Sequence, residues 1–158
     1  MTEEKTFPLT QQAFDRLQDE LAHLEGDART KVIEDIATAR SHGDLSENAE
    51  YHAAKDQQGM QEARVRQIRQ MLEHAEIVHA TDDDDLVAPG KLVTISIDGD
   101  DSEQFLFGTR EEKGGSHPVL TVDSPVGRAI QGKATGETVT AQLPNGECKV
   151  EIVAVSAP

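Results

Sequence analysis

Apolar residues recur every three or four positions along the first half of the chain and fall into short alternating runs along the second. Phe14, Leu17, Leu21, Leu24 and Ala28 stand at spacings of 3, 4, 3 and 4, the seam of a coiled coil. The seam passes on to Val32, Ile36 and Ala39, and the successive spacings of four around Ala28 form a stutter that locally unwinds a supercoil. Gly26, beside the stutter, weakens the helix and predicts a bend. Thr10, after Pro8-Leu9, is the expected N-cap, and Ser41-His42-Gly43 the expected end, with Gly43 suited to the left-handed C-terminal position. A second helix is expected to start near Asp44–Ser46, with its seam at Ala54, Gln58, Gln61, Val65, Ile68, Leu72 and Ala75. A short connection makes two such helices antiparallel neighbours. Arms of about 30 residues reach roughly 45 Å at 1.5 Å per residue. The seam turns from large apolar residues to Ala and Gln towards the connection, which predicts a thin, lightly packed end.

The pattern changes after Asp82-Asp83-Asp84-Asp85. Pro89-Gly90 signals a turn, and β-rich runs follow at Lys91–Ile97, Glu103–Gly108, Val119–Val122, Glu137–Leu143 and Cys148–Val155. Asp98-Gly99, Gly114-Gly115 and Asn145-Gly146 separate them. Pro125–Gly132 fits one short helix with Ser124 as N-cap and Pro125 at its first position. The fold class is therefore α+β. An N-terminal antiparallel coiled-coil hairpin over 1–80 is followed by an acidic linker over 81–90. A small, mainly antiparallel sheet with one short helix then occupies 91–158.

Composition narrows the partners. The 158 residues carry a formal net charge of −15, and aromatics make up 3% with no Trp, so the cores must be aliphatic. Residues 1–80 and 81–158 carry −7 and −8, so the acidity is not confined to one tail. Such a chain is repelled by bare nucleic acid and by anionic membranes, and a basic protein surface or channel suits it better. Cys148 is the single cysteine and reads as a small core residue. The N-terminus lacks the pattern of a signal peptide and no apolar run reaches the ~20 residues of a membrane span, so a cytoplasmic protein without membrane contact is expected.

The candidate chemistry lies at the hairpin connection, Gly43-Asp44-Leu45-Ser46-Glu47-Asn48-Ala49-Glu50-Tyr51-His52-Ala53-Ala54-Lys55. Asp44 and Glu47 are close enough in sequence for both carboxylates to reach one ion. Two carboxylates alone hold Mg²⁺ weakly, because the ion wants further oxygen ligands. The connection thus suits a metal site completed on another molecule. Asp-x-x-Glu at a helix start is equally a capping-box-like pattern, with Asp44 as cap. Glu50 fits a solvated first-turn carboxylate. Tyr51 could stack on a base or pack between the helices near the tip. Arg29, Lys31, Arg40 and Lys55 could touch phosphates or form a solvated face with i,i+4 pairs. The Asp82–Asp85 run reads as a solvated linker, and no nucleophile motif or phosphate loop is present.

Gly43–Lys55 resembles the signature of the bacterial GreA/GreB transcript-cleavage factors almost residue by residue. A second, weaker match is Val122-Asp123-Ser124-Pro125-Val126-Gly127-Arg128-Ala129-Ile130-Gln131-Gly132-Lys133, followed by Gly136-Glu137-Thr138-Val139. The resemblance implies an FKBP-like sheet domain that docks on RNA polymerase at the rim of its secondary channel, which the coiled coil enters. It implies a monomeric elongation factor that is no enzyme itself and binds no cofactor alone. It would stimulate the polymerase's own Mg²⁺-dependent cleavage of backtracked RNA. By the same resemblance Asp44 and Glu47 share the second Mg²⁺ of the polymerase active site, with Ser46 and Asn48 as polar neighbours. Asp123, Ser124 and Pro125 map to the polymerase-binding loop. Arg40, Lys55 and Tyr51 are candidates for contact with the nascent RNA 3′ end. The rival readings are a channel binder that inhibits without cleavage, a peptidyl-prolyl isomerase and a structural coiled-coil adaptor. The intact tip acids, the scarcity of aromatics for a proline pocket, and the clustering of acids at the tip argue against them in turn.

Overall fold

Thr10 starts the first helix as its spacing predicts. In the computed structural model, which describes residues 6–44, 47–79 and 84–158, it lies between β1 (Phe7–Leu9) and α1 (Gln11–Glu25). Its hydroxyl accepts the Ala13 amide at 3.2 Å, supplying one of the partners that first-turn N–H groups lack. The helix breaks at Gly26, with φ −103° and ψ −108°, and resumes as α2 (Asp27–Arg40). A Cβ at Gly26 would lie 2.9 Å from the Ala22 carbonyl oxygen, so the bend requires the glycine there. α3 (Ala49–Glu73) returns along α2.

Within the unit of residues 15–74, the seam packs largely as the spacing predicts. Leu17, Val32, Ile36 and Ala39 are buried on one arm and Ala54, Val65 and Ile68 on the other, but beyond Ile68 it is Met71 that is buried, while the expected Leu72 is half-buried. Among the described residues, three arginine pairs cross between the arms. Arg29 grips Glu62 through two nitrogens at 2.9 and 3.1 Å, Arg64 grips Glu20 at 2.7 and 3.0 Å, and Arg69 meets Glu25. Half-exposed pairs of this kind contribute about 0–1 kcal/mol each, so they fix register more than stability.

The other unit groups residues 6–14 with the described residues of 75–158. β2 (Ala75–Ile77) pairs in parallel with β1, Phe7 opposite Ala75 and Leu9 opposite Ile77. Strands of three residues are too short to show a period, and this pairing is absent from the sequence pattern. β3 (Leu92–Ile97), β4 (Glu103–Gly108), β5 (Val119–Thr121), β6 (Thr138–Leu143) and β7 (Gly146–Ser156) form one sheet in the order β5-β4-β3-β7-β6. Its neighbours are antiparallel except β4 and β5, which run parallel. α4 (Pro125–Ile130) packs on β6. Val93, Ile95, Phe107, Ile130, Ala141, Cys148, Val150 and Ile152 form the core, so the cysteine is the small core residue expected. Exposed Lys149, Glu151 and Val153 alternate with buried Cys148, Val150 and Ile152 along β7.

A buried lysine ties the chain before β3 to the sheet. The Lys91 ammonium, 6% exposed, meets the Asp84 carboxylate and donates to the carbonyls of Asp84 at 3.2 Å and Leu86 at 3.0 Å. Asp84 also accepts the Leu86 amide at 3.1 Å. These bonds, that from Lys91 first and that from Leu86 second, hold the Asp84 carboxyl below its ordinary value of 3.8. A depressed carboxyl stabilises the fold fully above the ordinary value, and the contribution is lost as pH falls through the folded one. The stability gap between the parent and Asp84→Asn should therefore be constant at neutral pH and shrink below pH 3.8. Urea titrations across pH check this, and a gap that widens on acidification would refute the assignment.

Candidate functional site

Gly43 ends the first arm with φ +112°, a conformation that favours glycine. The second helix starts later than the sequence pattern predicts. Its N-cap is Asn48, not a residue of Asp44–Ser46, and Asn48 Oδ1 accepts the Tyr51 amide at 3.1 Å. The capping-box reading of Asp44 and Glu47 is thereby overturned, since both precede the cap. The physical reason is that Asn48 satisfies two helix ends at once. Its Nδ2 donates to the Ala39 carbonyl of α2 at 2.6 Å while its oxygen caps α3. Asp and Glu carboxylates have no N–H to give and cannot make that bridge.

Asp44 and Glu47 are exposed on the connection. Leu45 and Ser46 lie outside the described residues. Two further contacts cross beside Asn48. The Arg40 guanidinium stands 5.8 Å from the centre of the half-buried Tyr51 ring, and His42 Nε2 is 3.7 Å from Glu50 Oε2. Tyr51 thus packs against the opposite arm, the second of its two expected placements. Its edge also meets His52, with ring centres 5.6 Å apart. Lys55 is exposed and reaches Gln58 at 3.3 Å. Arg40, Lys55 and Gln58 line a shallow groove across the two arms with Ile33, Ile36 and Ala37. The other two basic candidates are committed within the hairpin, Arg29 to Glu62 and Lys31 to Asp35 at i,i+4.

In the sheet-bearing unit, Ser124 caps α4 as predicted. Its hydroxyl accepts the Gly127 amide at 3.0 Å and donates to the Thr121 carbonyl at 2.7 Å. Pro125 occupies the first turn, and Asp123 and Pro125 are exposed. Arg128 Nε donates to the Asp123 carbonyl at 2.9 Å, closing the loop from the other side. Gly127 explains why the loop can be so tight, because a Cβ there would lie 2.0 Å from the Thr121 oxygen. Pro125, Arg128 and Ala129 border a depression completed by Thr140 and Gln142 of β6.

The structure defines a two-unit protein with a helical hairpin that carries exposed acids on its connection, and a sheet that carries a rigid, polar loop. Among the described residues no helix is long and apolar enough to cross a membrane. A family model described as Transcription elongation factor, N-terminal, matches residues 7–77. A second, described as Transcription elongation factor, GreA/GreB, C-term, matches residues 82–157. Transcription elongation factor GreA of Streptomyces avermitilis is 45% identical over 148 residues, covering 92% of this chain and 90% of that protein. Transcription elongation factor GreA of Macrococcus caseolyticus is 40% identical over 158 residues, covering 99% and 100%. The crystal structure of the GreA factor homolog 1 (Gfh1) protein of Thermus thermophilus is similar at 18% identity, with a TM-score of 0.44 over 97% of this chain and 100% of that one. The chain belongs to the GreA/GreB family of transcription elongation factors.

The double role of Asn48 is open to test. Asn48→Ala should cost about 0.5–2 kcal/mol through the lost cap alone, with a further loss from the broken bridge to Ala39. Asn48→Ser keeps a capping oxygen without the N–H donor, so its urea midpoint should fall between those of Asn48→Ala and the parent. Equal midpoints for Asn48→Ser and the parent would remove the bridge from the account.

Proposed function

We propose that the protein binds RNA polymerase at the rim of the secondary channel, enters the channel with its hairpin connection, and stimulates cleavage of backtracked nascent RNA by the polymerase itself. The observation that carries this reading is the pair of exposed carboxylates, Asp44 and Glu47, on a hairpin connection in a GreA/GreB family member. Two hard oxygen donors suit Mg²⁺, but octahedral Mg²⁺ needs more oxygens than they offer. Among the described residues no three His, Cys, Asp or Glu side chains form a group that could hold a metal. The remaining ligands in this reading belong to the polymerase. Mg²⁺ supplies water activation and charge neutralisation in two-metal phosphodiester hydrolysis. Asp44 and Glu47 offer it carboxylate oxygens and can orient the attacking water. Ser46 is a polar neighbour, and Asn48 holds the two arms together behind the acids. Arg40, Lys55 and Tyr51 are the side chains that would face the RNA 3′ end.

The Asp123–Pro125 loop is the proposed docking element. The two hydrogen bonds of the Ser124 hydroxyl and the close approach at Gly127 make it stiff, so little ordering cost accompanies its binding. In this account the protein works as a cytoplasmic monomer and brings no nucleophile of its own. The inhibitory reading is weaker, because both tip acids are present and the relatives at 40–45% identity are GreA factors.

Asp44→Asn and Glu47→Gln should each abolish most cleavage stimulation while polymerase affinity stays near the parent's, and the residual activity should need more Mg²⁺. Cleavage on a stalled elongation complex, with affinity measured in parallel, checks this. Parent-like cleavage by Asp44→Asn at limiting Mg²⁺ would exclude the metal-ligand role.

Docking has its own test. Replacing Ser124 and Pro125 with Arg and Glu should lower affinity and cleavage together, with cleavage recovering at high protein concentration. An unchanged affinity in a folded variant would put the docking surface elsewhere.

A further inference from the structure

Three polar or charged side chains are buried among the described residues: Lys91, Ser96 and Glu112. Lys91 holds the chain before β3, and Ser96 donates to the Asp100 carbonyl at 2.6 Å, both local bonds. Glu112 differs. It is 2% exposed, ends a short 3₁₀ turn over Arg110–Glu112, and bonds to a residue 102 positions away. The Thr10 amide donates to its carboxylate at 3.2 Å, and Thr10 Oγ1 lies 2.5 and 3.0 Å from the two carboxylate oxygens. Gly108 makes room for it, because a Cβ there would lie 2.9 Å from Glu112 Cγ.

Thr10 is also the cap of α1, so the carboxylate sits at the positive end of that helix. Hydrogen bonds to an ionised acceptor are about twice as strong as neutral ones. Residues immediately before Thr10 are held as well, since β1 pairs with β2 and Leu9 O accepts the Val78 amide at 2.8 Å. The chain therefore enters and leaves the hairpin through a stapled base, and Glu112 joins that base to the turn after β4.

We infer that Glu112 is a positioning residue: its carboxylate holds the first turn of α1 within the sheet-bearing unit, so that a partner gripping that unit also holds the turn from which the hairpin helix starts. This rests on the cleavage reading above. Burying a carboxylate is costly unless it is well bonded, and the arrangement makes sense where placement, not binding, is limiting. Reaction rate is sensitive to such placement, and a shift of about 1 Å remote from the chemistry can cost about 100-fold.

The test uses the full chain with Thr10→Val, Glu112→Gln and Thr10→Ser. Hydrogen exchange reads the anchor without polymerase. Thr10→Val and Glu112→Gln should speed exchange of the Ala13 and Phe14 amides, with the β3 and β7 amides unchanged. On elongation complexes, the cleavage rate at saturating protein should fall about tenfold or more in Thr10→Val, and less in Glu112→Gln. Affinity for polymerase should stay at the parent's value, and Thr10→Ser, which restores the hydroxyl, should recover the rate. Loosened amides with a parent-like saturating rate would overturn the inference, as would affinity falling in step with rate. A parent protein that stimulates no cleavage would instead overturn the elongation-factor mechanism and the positioning role with it, while the exchange data would still decide the anchor.

Discussion

The end of the hairpin poses a problem that the rest of the molecule does not. The connection leaves two carboxylates exposed, yet the last carbonyls of α2 and the first amides of α3 need partners there, and the seam has thinned to Ala39 and Ala54. Asn48 meets the requirement with one side chain, giving its N–H to one arm and its oxygen to the other. The Arg40–Tyr51 and His42–Glu50 contacts add lateral ties on either side. A hydrophobic plug would hold the arms equally well, but it would widen the end. A polar clasp keeps it slim, with Asp44 and Glu47 exposed beside it.

The seam of the hairpin was legible from its repeated spacings of three and four, and the main strands from short β-rich runs set off by turn residues, the three-residue β5 included. Gly26 announced the bend, and Ser124-Pro125 announced α4 by local chemistry alone. What the pattern missed was non-local. The Asn48 bridge depends on Ala39 nine residues back, the β1–β2 pair on chain ends brought together by the hairpin, and the Glu112 anchor on Thr10 at the far end of the sequence. The late start of α3 has the same origin. Asp44, Ser46 and Asn48 are all good caps by type, and the opposite arm favours Asn48, whose separate amide oxygen and nitrogen reach Tyr51 N and Ala39 O at once.

Gly108 and Gly127 show another limit of sequence reading. Both look like ordinary loop or strand-end glycines, and neither owes its place to a left-handed backbone. Each is required by something standing where a Cβ would be, Glu112 at one and the Thr121 carbonyl at the other. Both lie next to polar features of the sheet-bearing unit, the buried anchor and the rigid loop. Small residues therefore mark where this unit brings polar groups into close contact.

The distribution of charge bears on the proposed encounter of the hairpin with RNA. In a chain of net charge −15, three arginines along the arms are spent on cross-arm carboxylates, and Lys31 is paired along its own helix. These pairs set the register of an otherwise lightly packed coiled coil, because a shift of either arm would break two bidentate grips. They also remove those cations from any role in attracting phosphate over distance. Near the connection the basic groups with exposed side chains are Arg40, leaning on Tyr51, and Lys55 on the facing arm. Electrostatics alone would then repel RNA from most of the hairpin surface, with a weak exception at the groove beside the acids. For the proposed function, this charge pattern favours encounter through the protein partner first, with RNA met only inside the complex.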